Sequence, residues 1–230
     1  MSRVLITGGA GFVGSHVADM LIAEGHDVLI LDDLTTGRRG NVPPRGAIFD
    51  AISVSDEEGV RVSFAAFRPE TVLHAAASYR DADDFADHAA TNVLGSAIVA
   101  DACRRSRVGR LGYLQTSLCY AQVGAVGPFT TRRRLGPRGS YAVTKTAGEA
   151  YSLAVPGAVS LRLANLYGPR NLSGAIPTFY RQVKEGLPCT VVEDASRDFV
   201  FIEDMVDTVM SNIDSTRTES IDVRTGIETR

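Results

Sequence analysis

The apolar run Arg3-Val4-Leu5-Ile6-Thr7 stops at Gly8-Gly9-Ala10-Gly11-Phe12-Val13-Gly14. Apolar residues then recur at 12, 13, 17, 20 and 21, the spacing of one helix face, before Gly25 ends the pattern. A strand that turns at once into a helix explains the three glycines. Gly8 permits the tight turn, Gly11 allows a bound group to approach the backbone, and Gly14 lets helix and strand touch. The N–H groups at the helix start have no intrahelical partner and carry partial positive charge, which suits the pyrophosphate of a dinucleotide. A glycine turn needed only for packing is the plainer alternative. Asp32, at the end of the next apolar run (27–31), argues against it. A carboxylate there can accept both adenosine-ribose hydroxyls and repels a 2′-phosphate, favouring NAD over NADP.

Strand-like and helix-like stretches go on alternating. Strands are expected at 46–49, 71–74, 111–115 and 159–163, and helices at 56–67, 84–105 and 140–153. This order predicts an α/β fold, a doubly wound parallel sheet with helices on both faces. Ligands in such sheets bind beyond the carboxyl ends of the strands, where Thr7, Asp32, His74, Thr116 and Asn165 all fall. After Tyr167 the texture changes at Gly168-Pro169-Arg170-Asn171. A helix at 176–185, two short strands and a helix at 203–213 then suggest a small lobe without its own core, packed over the cleft. The division expected is a dinucleotide-binding domain (1–167) carrying the catalytic residues and a partial substrate lobe (168–230), interleaved with it.

Bulk properties narrow the classes. The net charge is −3 and the sole basic cluster is Arg132-Arg133-Arg134, so no nucleic-acid partner is expected. No apolar run approaches the ~20 residues of a membrane span, and no signal-peptide pattern precedes the first strand. Cys103, Cys119 and Cys189 and the four histidines have no metal-ligand spacing, so no metal is expected. Scattered thiols suit a reducing compartment, and a cytoplasmic location is expected.

The chemistry points to Tyr141 and Lys145, which share a helix face at i and i+4. For a phenol to act as a base near neutral pH, its pKa must fall by ~3 units, or ~4 kcal/mol. An adjacent ammonium supplies part of that. Thr116 or Ser117, after the strand ending at Gln115, can orient the hydroxyl that Tyr141 deprotonates. Taken alone, Tyr141 and Lys145 could also be an ordinary surface pair. His74 reads as a packed, supporting residue, with Ala75 and Ala76 leaving room for a cofactor. Asp50 can reach an adenine amino group or be an exposed loop acid.

Several motifs follow one another in a telling order: Thr7 to Ser15, Asp32-Asp33-Leu34-Thr35-Thr36-Gly37, His74-Ala75-Ala76-Ala77, Asn92, Thr116-Ser117-Leu118-Cys119-Tyr120 and Tyr141-Ala142-Val143-Thr144-Lys145. Leu161 to Arg170 and Arg197-Asp198-Phe199 complete the set. The chain resembles the extended short-chain dehydrogenase/reductase family and, within it, the NAD-dependent nucleotide-sugar epimerase/dehydratase group. The resemblance implies a Rossmann sheet, NAD as cofactor, a nucleotide-diphosphate sugar as substrate and a homodimer built on the helices at 84–105 and 140–153. It assigns catalysis to Thr116 (Ser117 as a possible substitute), Tyr141 and Lys145. It assigns cofactor contacts to Gly8, Gly11, Phe12, Val13, Asp32, Asp33, Thr36, Gly37, Asp50, Ala51, His74, Ala75, Ala76, Asn92, Tyr141, Lys145 and Ala164. Asn165 and Arg197 would hold the substrate's phosphates.

Dehydratases of this group usually place an acid just after the catalytic Thr or Ser. Ser117 and Leu118 stand there, so 4-epimerisation is the expected reaction. A nucleotide-sugar dehydrogenase or ketoreductase, a dehydratase and a non-catalytic NAD-binding protein are the alternatives. Three departures stand out: Ala121 replaces a usual Gly, 132–139 is rich in Arg and Gly, and the sequence stops at Arg230, where family members carry on. The substrate lobe is therefore expected to be short.

Overall fold

The computed structural model describes residues 1–121, 130–191, 196–212 and 217–230. Strands β1 (Arg3–Thr7), β2 (Asp27–Leu31), β3 (Ala47–Asp50), β4 (Thr71–His74), β5 (Arg110–Thr116), β6 (Ala158–Leu163) and β9 (Glu219–Val223) form one sheet. Its order is β3-β2-β1-β4-β5-β6-β9, with every pairing parallel. Val4 to Thr7 are all buried, as expected when helices cover both faces of a parallel sheet.

Alternate residues of β1 enter two cores. Val4 and Ile6 face the layer of α1 (Phe12–Ala23) and α7 (Ile202–Asn212), through Val17, Leu21, Met205 and Val209. Leu5 faces the layer of α2 (Glu57–Phe67), α4 (Gly95–Arg105) and α5 (Gly139–Leu153), through Val60, Phe64 and Val99. The register brings the carboxyl ends level: Thr7 pairs with Leu31 and His74, Leu31 with Asp50, and Thr116 with Leu163.

Two regions differ from the sequence reading. The helix expected over 84–105 is α3 (Phe85–His88), a π-helical turn (Ala89–Leu94) and α4. Such turns cluster at functional sites. Here α5 crosses so closely that a Cβ on Gly148 would run into Asn92 O, while the segment between β3 and α2 presses on the same helix, so that one on Gly95 would lie 2.5 Å from Val54 Cγ2.

Residues 168–230 also do not stay together over the cleft. The loop 170–174, the start of α6 (Ala175–Lys184) and Arg197, with the short parallel pair β7 (Asn165–Tyr167) and β8 (Phe199–Phe201), border it, whereas α7 packs on α1 and β9 adds the seventh strand. The open edge of β6 and the apolar stripe Met205, Val206 and Val209 draw these elements onto the main sheet. The end of the helix expected at 203–213 lies outside the described residues. Among the described residues, no helix is long and apolar enough to cross a membrane.

The glycine turn is held by contact as well as conformation. Gly8 has φ +66°, and a Cβ there would sit 2.6 Å from Ala76 N. A Cβ on Gly14 would run into Gly8 O. Gly14→Ala should therefore destabilise the protein by about 1–3 kcal/mol in urea unfolding. Gly40→Ala, whose Cβ meets nothing within 4 Å, should stay within about 0.5 kcal/mol.

Candidate active site

A cleft of about 850 Å³ runs along the carboxyl edge of the sheet. At one end lie Gly8, Gly11, Phe12, Val13, Asp32, Asp33 and Thr36. Ala75 and Ala76 form its floor, and Thr116, Tyr141, Lys145, Asn165 and Arg197 its other end. The sequence reading scattered these residues over almost 200 positions, and the parallel register brings them together.

The glycine turn presents an uncapped helix start, since Gly11 precedes α1 and no side chain caps it. A Cβ at Gly11 would find only Gly8 O within 4 Å, at 3.1 Å, so its bareness serves the cleft more than the packing. Asp32 Oδ2 accepts from Ala10 N at 2.9 Å and Oδ1 from Leu34 N at 2.8 Å. Each oxygen keeps a lone pair for a hydroxyl. Burial pushes this carboxyl above its usual range, against the pull of the two backbone donors. Gly37 packs against it, a Cβ there falling 2.6 Å from Asp32 Oδ1.

Other predicted residues stand behind the wall rather than on it. His74 is fully buried between Thr7 Oγ1 (2.7 Å) and Ser96 Oγ (2.9 Å). Burial, with Lys145 nearby, lowers its pKa to about 3, so it stays neutral as a brace. Asn92 accepts from Ser78 N and donates to Ser78 O, both at 2.9 Å, and so holds the segment after β4. Asp50 accepts from Ser63 Oγ at 2.7 Å, Ala51 is exposed, and Ala164 N bonds Val223 O at 3.0 Å. Ser117 does not border the cleft, whereas Thr116 does. Thr116 Oγ1 accepts from Leu118 N at 3.2 Å, which leaves its O–H free to donate.

Arg38, which the sequence places near enough to Asp32 to soften its repulsion of a 2′-phosphate, also borders the cleft, whereas sequence reasoning missed Tyr79, Arg80 and Asn41 there. Asn41 Nδ2 donates to Ala10 O at 2.9 Å and so straps this loop onto the glycine turn. Tyr79 follows the small-residue run after β4, and that position was its only signal. Its ring stands 6.3 Å from that of Tyr141, edge to face.

Beneath the phenol, Lys145 is 2% exposed, with Nζ 4.1 Å from the centre of the Tyr113 ring. One turn further, Glu149 takes two bonds from Arg162, at 2.8 and 3.1 Å. Gln115 Nε2 donates to Lys145 O at 3.1 Å and to Glu149 at 3.3 Å. The sequence argument expected Lys145 to lower the phenol's pKa. Instead burial, then Tyr79, pushes Tyr141 up to about 12. Burial brings Lys145 down to about 7, against the opposing pull of Glu149. Desolvation outweighs the attraction, so both groups tend toward their neutral forms.

The profile described as "NAD dependent epimerase/dehydratase family" matches residues 4–221. The chain belongs to this family.

Within the family, the chain is 31% identical to "UDP-glucose 4-epimerase" of Mycolicibacterium smegmatis, over 99% of this chain and 78% of that protein. It is 29% identical to "dTDP-glucose 4,6-dehydratase" of Neisseria gonorrhoeae, over 88% and 66%. The Bordetella bronchiseptica enzyme WbmG, solved in complex with NAD and UDP, superposes with a TM-score of 0.93 at 41% identity, covering 99% of this chain and 74% of that one. UDP-glucose 4-epimerase of Thermotoga maritima, solved with UDP-glucose, gives 0.94 at 30%, covering 99% and 78%. NAD is the cofactor named for this epimerase/dehydratase family, and the bare Gly11 turn with Asp32 at its flank fits a dinucleotide.

The lowered pKa of Lys145 has a consequence for stability. Between about 7 and the ordinary 10.5, the unfolded chain binds the proton that the folded chain has lost, so stability rises with pH. Below that window both states are protonated and the desolvation cost remains. The melting temperature of the cofactor-free protein should gain more between about pH 7 and about pH 10 in the wild type than in Lys145→Met.

Proposed function

We propose that the chain is an NAD-dependent nucleotide-sugar 4-epimerase. The observation that carries this reading is the shared cleft: Thr116, Tyr141 and Lys145 at one end, Gly11 and Asp32 at the other. NAD supplies a hydride acceptor that can return what it takes. The backbone of residues 8–13 holds its pyrophosphate and Asp32 its ribose hydroxyls. Tyr141 removes the proton of the sugar's C4 hydroxyl and later gives it back. Thr116 donates to that hydroxyl oxygen and fixes its direction. Lys145 stabilises the phenolate. Asn165 and Arg197 hold the diphosphate, Arg197 as a forked cation. In this reading residues 1–167 bind the cofactor and part of 168–230 contributes the substrate side.

The family's dehydratases make 4,6-dehydration the second reading. Elimination of water needs an acid and a base beside the catalytic hydroxyl. Ser117 lies off the cleft and Leu118 presents an aliphatic chain to it, which favours epimerisation. The outer sides of the long helices expose Leu94, Val143 and Tyr151 at about half of their area or more, an apolar surface that supports a homodimer. The free thiols Cys103, Cys119 and Cys189 suit a reducing compartment such as the cytoplasm.

Incubation of NAD-loaded protein with UDP-sugars, followed by NMR of the products, should show the C4 epimer. A 4-keto-6-deoxy product would overturn the assignment. Tyr141→Phe should lower kcat by about 10²–10⁴ without loss of NAD affinity. Light scattering on the purified protein should give the mass of two chains.

A further inference from the structure

A second cavity, of about 310 Å³, opens beside the main cleft and shares Tyr79, Leu118 and Tyr141 with it. Its remaining wall comes from Ala82, His88, Arg138 and the first residues of α5. Asn165 and Arg197 border the main cleft and not this recess. The recess therefore adjoins the reacting end of the site, away from the residues assigned to the diphosphate.

Its one charged side chain, Arg138, and the leading N–H groups of α5 are donors, and the hydroxyls of Tyr79, Ser140 and Tyr141 can donate as well as accept. Helix α5 begins after Arg138 with no side-chain cap and no acid in its first turn, so no side chain among the described residues satisfies its leading N–H groups. Arg138 is exposed and forms no ion pair among the described residues. His88 is 1% exposed; its Nδ1 pairs with Ser140 Oγ at 2.9 Å, and its Nε2 is buried without a partner among the described residues. Where the Ser140 hydroxyl donates to Nδ1, the imidazole hydrogen sits on Nε2, which is then a donor. Of the acids nearest to His88 in sequence, Asp81, Asp84 and Asp87 border the main cleft instead and Asp83 lines neither cavity; Asp87 is engaged by Ser78 and Thr91.

A buried donor without a partner beside a bare helix start and a free guanidinium calls for an anionic acceptor. On a sugar held with C4 at Tyr141, the neighbouring C5 carries the exocyclic C6 group. A hydroxymethyl there could accept one hydrogen bond but would bring no charge to meet the guanidinium and the helix start. A carboxylate brings two acceptor oxygens and the complementary charge. We infer that the recess is a subsite for the sugar carboxylate, and that the substrate is a nucleoside-diphosphate uronic acid. This rests on the nucleotide-sugar reading above.

Calorimetric titration of the NAD-loaded protein with UDP-glucuronate, UDP-glucose and UDP tests it. UDP-glucuronate should bind at least about tenfold tighter than UDP-glucose. Arg138→Ala should erase most of that difference and Arg138→Lys retain part of it, with the affinity for UDP, which carries no hexose or uronate, unchanged. Equal affinity for uronate and hexose in the wild type would overturn the subsite and leave the nucleotide-sugar reading standing. So would an equal loss for both in Arg138→Ala. Failure of all three probes to bind would overturn that reading together with the subsite.

Discussion

The ion pair between Glu149 and Arg162 is the contact on which the geometry of the candidate site depends. Both side chains are almost wholly buried, at 3% and 8% exposure. Two charges in that position are costly unless geometry and further hydrogen bonds are good. Here Arg162 reaches both carboxylate oxygens, Ser160 Oγ donates at 2.5 Å, and Gln115 adds a third residue. The network continues through Tyr120 to Asp222 on the edge strand. Removing one partner would leave an uncompensated buried charge, typically worth about 3–5 kcal/mol. The pair thus ties α5 to β5, β6 and β9 in one rotation about its axis. Tyr141, Lys145 and Glu149 follow at intervals of four on one stripe. Locking Glu149 inward aims the other two at the cleft.

That arrangement also sets their electrostatics. A lysine at the protein's centre loses more hydration than one distant carboxylate restores, because Glu149 is already shared with Arg162. The phenol above it is penalised by burial too. The cofactor-free site therefore rests with its proton on Tyr141. Any activation of the phenol has to come with charge that enters the cleft, a condition on ligand binding rather than a property of the helix. The donor-lined recess at the start of α5 is continuous with this logic, since it offers positive potential at the same helix end.

Much of the fold was legible because its signals are local. The strands at 27–31 and 71–74 match β2 and β4 to the residue, and α1 ends one position before the expected limit. Glycine turns punctuate these segments, and burial on both faces makes the strands continuous apolar runs. Strand β9 carried no such mark. Its place depends on the free edge of β6, a partner almost 60 residues earlier. The π turn at 89–94 arises from the close crossing of α5 at Gly148, which no periodicity within 84–105 encodes.

The candidate site divides in the same way. Residue type and order along the chain determined the parallel α/β sheet, the dinucleotide turn with its acid, and the Thr116–Tyr141–Lys145 set. Each is a short pattern whose chemistry follows from its own atoms. Only the tertiary structure decided which of these residues reach the cleft. It put Thr116 on the wall and Ser117 off it, and set His74 and Asn92 behind it as braces. It raised the pKa of Tyr141 where the sequence argument lowered it, and joined His88 to Arg138 across 50 residues. Burial and juxtaposition come from the packing of distant segments, and a linear pattern carries neither.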